Sequence, residues 1–213
     1  MMYIGLTMSC ASDFWRMALI GVMVGWIGEV ELAVFTTTYR ETWLVGCFCG
    51  SYASAMKTNL AINIGRGDVE ASKQTVRLSL WLITSVNVIV AAIFTIYARE
   101  VAHIFSTDQR YIDTSVEVRP GAALVLIGVM QALSLEQILV TFGRTKIVFR
   151  LGVLASWLVQ VPSVYVLLVY FDADLLTIYF GVAAGYVVLA IFFTVYLLRV
   201  DWEAIIQESK KKS

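Results

Sequence analysis

The amino-acid sequence predicts an all-α membrane protein with six transmembrane helices. Of its 213 residues, 59% are hydrophobic and 15% are charged, and the mean hydropathy is +0.78. Soluble globular domains contain about 45–50% apolar and about 25% charged residues. A helix crosses the hydrocarbon core in about 20 predominantly apolar residues. The runs 78–98, 151–171 and 175–198 contain no charged residue, and they therefore predict three of the spans.

Three further spans are predicted in segments that charged residues interrupt. The first covers about 12–28, the second lies within 31–64, and the third covers about 121–142. The second segment is long for one span, and we expect it to be tilted, to be bent near Gly46 or Gly50, or to project into the cytosol. Segments of this length and apolarity are typical of helices rather than of barrel strands.

The distribution of lysine and arginine predicts the orientation of the spans. With six spans, both termini and the loops 65–77 and 143–150 lie on one side, which holds ten basic residues against three on the other. Because cytoplasmic loops carry the excess of Lys and Arg, we expect both termini to be cytosolic. Residues 1–200 then form one six-span unit, and residues 201–213 form a basic cytosolic tail. On the opposite side, the segment 99–119 reads as a short amphipathic piece at the outer interface.

Composition and the placement of reactive side chains exclude several classes of function. The 16 basic residues balance the 16 acidic ones, so the basic face that a nucleic acid needs is missing. His103 is the only histidine, and Cys47 and Cys49 lie on different faces of a helix. The sequence therefore offers neither a metal site nor a catalytic triad. We expect no enzyme, no catalytic residue and no metal.

The most specific local pattern follows the second span, in Gly65-Arg66-Gly67-Asp68. Gly65 or Gly67 can adopt the left-handed conformation that ends a helix. Asp68 can accept a hydrogen bond from the first turn of the next helix. The simplest interpretation is a cytosolic corner between two helices.

The stretch 50–73, which contains this corner, resembles the Gly-x-Gly-(Asn/Asp)-x-x-x-Ala-(Lys/Arg) loop of the multidrug and toxic compound extrusion (MATE) transporters. Three further stretches resemble that family in the same order along the chain, namely 14–33, 142–162 and 199–203. The resemblance implies that the chain is the C-terminal half of a MATE transporter, with residues 1–200 as one of its two six-helix lobes. The residues that match the family's loop motifs are Gly65, Gly67, Asp68, Gly143, Arg144 and Pro162.

Carboxylates within the predicted spans are the candidate ion- or substrate-binding residues. An ionisable side chain at bilayer depth costs about 2.5–3.5 kcal/mol on insertion scales and is therefore a functional candidate. By the resemblance, Asp13 matches the acidic residue of the family's Glu-Trp-Trp motif, and the alternative is a pair with Arg16 on the same helix face. Glu41 is either a cavity carboxylate or one partner of an ion pair at the outer interface. Glu136, in a strongly apolar helix, must face a cavity or a partner.

The resemblance also implies a function. MATE transporters are secondary active antiporters that export organic cations, drugs and other xenobiotics in exchange for protons or sodium ions. We therefore expect small organic, cationic substrates, with H⁺ or Na⁺ as the coupling ion and no cofactor. Two alternatives remain open: a non-transporting membrane interaction protein or orphan lobe, and a lipid-linked oligosaccharide flippase of the same superfamily.

The expected partners besides the substrate are membrane lipid and a second half of the transporter. Gly, Ser and Thr on an exposed face favour helix association in membranes. This second half is expected to be a second copy of the chain or a separate N-terminal lobe. We expect the plasma or vacuolar membrane rather than the endoplasmic reticulum.

Overall fold

The computed structural model describes the backbone of residues 2–171 and 173–210 and the side chains of Ser12, 14–171 and 173–208. Nearly all of this part of the chain is helical, and it contains no strand. The helices are α1 (Met2–Gly25), α2 (Glu29–Arg66), α3 (Val69–Ile96), α4 (Ala98–Phe105), α5 (Gln109–Glu117), α6 (Arg119–Thr141), α7 (Thr145–Val153), a π-helical segment (Leu154–Gln160), α8 (Val161–Phe171), α9 (Leu175–Leu198) and α10 (Trp202–Lys210).

The long helices run back and forth through one bundle. In the described part of the chain, four of them are long and apolar enough to cross a membrane: α3, α6, the continuous rod Thr145–Phe171, and α9. In α1, the apolar stretch Phe14–Gly25 is shorter, and α2 is not apolar enough to qualify, because hydroxyl, amide and charged side chains occur along its length. The all-helical membrane fold is therefore confirmed, whereas the status of α1 and α2 as the fifth and sixth spans stays a prediction.

Helix α2 is unbroken from Glu29 to Arg66, without an interruption at Gly46 or Gly50. At 1.5 Å per residue its 38 residues span about 57 Å, nearly twice the hydrocarbon thickness of about 30 Å. It is about 15 Å longer than α3, with which it is paired at the corner near Gly67. Its first turns lie beside α5, where Glu31 pairs with Arg110 at 3.1 Å. The excess length over α3 thus lies at the end that holds α4 and α5. The expectation that the second span is tilted or projects into the cytosol stays a prediction.

The corner between α2 and α3 has the predicted caps. Gly67 adopts the left-handed conformation with φ of +79°, and the Asp68 side chain accepts a hydrogen bond from the Ala71 N–H at 2.9 Å. At the corner between α6 and α7, Gly143 has the same left-handed conformation, with φ of +74°, but no side chain caps the start of α7. A side chain at either glycine would be strained, because only glycine adopts this conformation without cost. We refer to the end of the bundle that holds these two corners as the basic end.

The π-helical segment precedes Pro162 in the rod Thr145–Phe171. The Val161 N–H donates to the Ser156 carbonyl five residues earlier, which is the spacing of a π-helix. Pro162 has no N–H to donate, and its ring would clash with the Leu158 carbonyl in a regular α-helix. Widening of the helix before the proline removes this clash, and it turns Ser156 and Gln160 toward the interior, where both are buried.

Helix α9 packs closely on two neighbours because glycines lie at the contacts. A Cβ at Gly121 of α6 would lie 2.6 Å from the Cβ of Tyr179, and a Cβ at Gly185 would lie 2.5 Å from the Cβ of Gln160. Gly181 and Gly185 form a Gly-x-x-x-Gly pattern, which allows close helix packing in membranes. Helices α6 and α9 are the most deeply buried of the candidate spans.

Helix α9 begins at a capped turn. An oxygen of the Asp174 carboxylate accepts a hydrogen bond from the Thr177 N–H at 2.9 Å. The Thr177 hydroxyl and N–H both donate to this carboxylate and lower its pKa. Because the pKa is lowered by folding, this contribution to stability is present above the unfolded pKa and is lost as the pH falls through the folded one.

The residues predicted to form a basic tail begin as a docked helix. Ile205 and Ile206 of α10 are buried at the basic end, and the Trp202 ring packs edge-on against Phe142 with 5.2 Å between centroids. Arg144, one of the family loop residues, pairs with Glu208 at 3.0 Å. Residues 211–213 lie outside the described part of the chain. The division of the chain at residue 200 therefore stays a prediction.

Candidate functional site

Arg16 lies on α1 with 5% of its surface exposed. Its guanidinium donates to the Ser156 hydroxyl at 2.9 Å, the Gln160 side-chain oxygen at 2.7 Å and the Tyr186 hydroxyl at 3.0 Å. The guanidinium carbon also lies 5.1 Å from the centre of the Tyr186 ring, within the range of a cation–π contact. Three segments of the chain that are far apart in sequence thus meet at one buried positive charge.

The π-helical segment and α9 hold the acceptors of Arg16 in place. The Gln160 side-chain amide donates to the Val182 carbonyl at 2.8 Å, which orients its oxygen toward Arg16. Gly185 provides the space for the Gln160 side chain, since its own position lacks a Cβ. The widened helix before Pro162 thereby positions both Ser156 and Gln160. Of the sequence-predicted loop residues, Pro162 is therefore the one that acts on this site.

A cavity of about 680 Å³ lies between α1, α2, α6 and α9. Arg16 and Glu136 both line it, and Glu136 also lines a neighbouring cavity of about 370 Å³ together with Ser12 and Ser156. Glu136 is half-buried and is the only acidic side chain of the described residues in the lining of the larger cavity. Apart from Thr42, the remaining walls are aromatic or aliphatic and include Tyr39, Trp43, Tyr186, Met17, Met130 and Leu189.

Of the other two predicted carboxylates, Asp13 and Glu41, the structure describes the side chain of Glu41, which does not line this cavity. Asp13 belongs to α1, but its side chain lies outside the described residues, so both interpretations of Asp13 stay predictions. Glu41 is 8% exposed and forms a two-point ion pair with Arg119 at 2.5 and 3.3 Å. Arg119 also donates to the Ser115 hydroxyl at 3.1 Å. This pair joins α2 to the start of α6 at the end opposite the basic end.

Several residues of the site were not singled out from the sequence. Arg16 was considered only as a partner of Asp13, while Ser156, Gln160 and Tyr186 were part of spans without charge. One signal was present: Gln160 is a polar residue in an apolar span, two positions before Pro162. A polar residue beside a helix-distorting proline is a candidate for a buried hydrogen bond. The loop residues Gly65, Gly67, Asp68, Gly143 and Arg144 lie at the basic end, outside the lining of the cavity.

The fold and the cavity define a multi-pass helical membrane protein with opposite charges at a cavity inside its helical bundle. The MatE family model matches residues 6–166. This range covers most of the chain, and the chain belongs to the MatE family.

Curated proteins from yeast, plant and human are similar to almost the whole chain. An uncharacterized transporter of Schizosaccharomyces pombe is 24% identical over 208 residues, which are 98% of this chain and 38% of the relative. Protein DETOXIFICATION 24 of Arabidopsis thaliana is 21% identical over 195 residues, 90% of this chain and 39% of the relative. Human multidrug and toxin extrusion protein 1 is 20% identical over 199 residues, 93% of this chain and 35% of the relative.

Solved MATE structures have the same fold over about half of their length. The eukaryotic MATE transporter AtDTX14 matches 96% of this chain with a TM-score of 0.87 at 18% identity, and the match covers 47% of AtDTX14. The MATE transporter ClbM in complex with Rb⁺ matches 99% of this chain with a TM-score of 0.85 at 19% identity, and the match covers 48% of ClbM. The prediction that the chain resembles half of a MATE transporter is confirmed. These relatives are transporters, and the chain is a multi-pass membrane protein of a transporter family.

Proposed function

We propose that the chain is one lobe of a secondary active antiporter that exports small organic cations in exchange for protons or sodium ions. The observation that supports this proposal is the cavity between α1, α2, α6 and α9, which Glu136 and Arg16 line. A carboxylate within a membrane-spanning helix is energetically costly, and its presence there therefore indicates a function. The aromatic walls formed by Tyr39, Trp43 and Tyr186 suit flat organic cations, which are attracted to the faces of aromatic rings.

The exchange follows from competition for one carboxylate. A cationic substrate and the coupling ion both require the oxygens of Glu136, so binding of a proton or of Na⁺ there removes the charge that holds the substrate. The positive charge of Arg16 keeps the cavity close to neutral while Glu136 carries its negative charge. A conformational change that opens the cavity to alternate sides of the membrane then converts this competition into transport.

Replacement of Glu136 by glutamine tests this function. We expect the Glu136→Gln variant to lose uptake of a fluorescent organic cation into vesicles driven by a pH or sodium gradient, because glutamine carries no charge for the substrate or the ion. The chain spans about half the length of its structural relatives, so the assay supplies a separate N-terminal lobe. We propose that this lobe, or a second copy of the chain, completes the transporter.

The matched control is Glu117→Gln, since Glu117 is an exposed acid on α5 outside the cavity. This variant should transport like the parent. Equal uptake by the parent and Glu136→Gln would contradict the role of Glu136. Complete absence of gradient-driven uptake by the parent with its partner lobe would favour the alternative of a non-transporting interaction protein. Transfer of a lipid-linked oligosaccharide in place of the cation would favour the flippase.

We also propose that both termini face the cytosol, in the plasma or vacuolar membrane. The excess of basic residues at the basic end supports this orientation. An epitope inserted at Thr107, between α4 and α5, should be accessible from the non-cytosolic side of intact membranes. An epitope after Ser213 should become accessible only after permeabilisation. The reverse pattern of labelling would contradict the orientation.

A further inference from the structure

An apolar trough runs along the exposed side of the seam between α6 and α9. Its volume is about 1120 Å³, the largest of the cavities described above. It lies on the face opposite the cavity of Arg16 and Glu136, and its walls are open to the surroundings, with Val187 and Ile191 about half exposed. Among the side chains that the structure describes, Gln131 and Thr194 are the only polar ones in its lining, and Gln131 donates to the Thr84 hydroxyl.

The trough exists because glycine and alanine residues lie along the contact between α6 and α9. Gly128 of α6 lies under Tyr186, where a Cβ would come within 3.1 Å of the tyrosine Cβ, so the two helices approach closely. On the outer side, Ala183, Ala184 and Ala190 of α9 leave space between larger neighbours. From Phe180 to Val195 the trough is about 22 Å long at 1.5 Å per residue.

The position of the trough indicates the kind of occupant. Its lining lies entirely on α6 and α9, both of which are long and apolar enough to cross a membrane. An exposed groove on such helices lies within the hydrocarbon core. The trough therefore suits the hydrocarbon chain of a lipid.

A basic residue lies at one end of the trough. Arg199 is exposed, follows α9 one turn after Val195, and forms no ion pair with any side chain that the structure describes. The acid nearest to it in sequence, Asp201, accepts hydrogen bonds from the N–H groups of Glu203 and Ala204 at 3.0 and 3.2 Å. Arg199 is therefore available to a negatively charged headgroup at the level of the basic end.

We propose that the trough binds one anionic phospholipid, with an acyl chain along the α6–α9 seam and the phosphate at Arg199. Unfilled space along the apolar walls would forfeit dispersion contacts, which a hydrocarbon chain restores. Arg199 adds an electrostatic preference for anionic headgroups. The bound lipid lies behind the wall of the candidate transport site, because Tyr186 lines the cavity of Arg16 and the next residue, Val187, lines the trough.

Native mass spectrometry of the full chain in detergent tests this proposal. The probes are phosphatidylglycerol and phosphatidylcholine with identical acyl chains. We expect the parent to bind phosphatidylglycerol about fivefold more tightly, which is the contribution of one basic residue near the membrane surface. Ala184→Phe, which fills the exposed trough, should weaken binding of both lipids at least tenfold. Arg199→Gln should reduce binding of phosphatidylglycerol to that of phosphatidylcholine.

Two matched controls separate the trough from the general apolar and basic surface. Leu82→Phe enlarges an exposed residue of α3, and Arg77→Gln removes an exposed charge near the other corner of the basic end. Both should bind the two lipids like the parent. Equal affinity of the parent for both lipids, or unchanged binding by Ala184→Phe, would overturn the proposal. Disulfide-linked dimers of an Ala184→Cys variant that lacks the native cysteines would also overturn it, since they would show a second copy in the trough.

Discussion

Replacement of Arg119 by methionine should destabilise the chain by about 3–5 kcal/mol, because it leaves the Glu41 carboxylate buried without its partner. Both side chains of the parent pair are more than nine-tenths buried. Two hydrogen bonds join the Arg119 guanidinium to the Glu41 carboxylate, with nitrogen–oxygen distances of 2.5 and 3.3 Å. For a chain of this size, such a loss corresponds to a decrease of about 6–20 °C in the melting temperature. Tryptophan fluorescence of the detergent-purified chain during heating measures it.

Two further variants give this prediction its control. Arg110→Met removes an ion pair with Glu31 in which the arginine is 69% exposed, and it should cost less than about 1 kcal/mol. The double variant Glu41→Met/Arg119→Met removes both buried charges and should recover most of the lost stability. If Arg119→Met melts like Arg110→Met, the pair does not hold α2 to α6.

Replacement of Gly185 by alanine should destabilise the chain by about 1–3 kcal/mol, the usual cost of an added methyl in a closely packed core. The new Cβ would lie 2.5 Å from the Cβ of Gln160 and 2.8 Å from its Cγ. Helix α9 must therefore move away from the π-helical segment, which weakens the hydrogen bond of Gln160 to Val182 and displaces the acceptor of Arg16. We expect the melting temperature to fall by about 2–12 °C.

The same substitution at Gly21 of α1 provides the comparison, because no described atom outside the adjacent residues and the backbone of α1 itself lies within 4 Å of the Cβ position there. Gly21→Ala should be neutral or stabilising by up to about 1 kcal/mol, since alanine favours the helix more than glycine does. Shifts of opposite sign for the two variants, recorded in one thermal series, are the expected result. A Gly185→Ala variant as stable as the parent would show that the contact with Gln160 relaxes without cost.

Local chemistry was sufficient to predict much of the architecture. The charge-free runs 78–98, 151–171 and 175–198 became α3, the rod of α7 and α8, and α9, because the length and apolarity of a span are properties of the segment itself. Gly67 and Asp68 became the predicted caps for the same reason, since a cap involves only residues a few positions apart.

The partners of the charged residues were decided only by the tertiary structure. Arg16 meets Ser156 and Tyr186 across 140 and 170 positions, and Glu41 meets Arg119 across 78. A sequence pattern identifies a charge that needs a partner inside the membrane, but the choice of partner depends on which helices pack together and how they are rotated. In this protein that choice rests on the glycines of α6 and α9 and on the widened helix before Pro162, whose effects appear only when the helices are in contact.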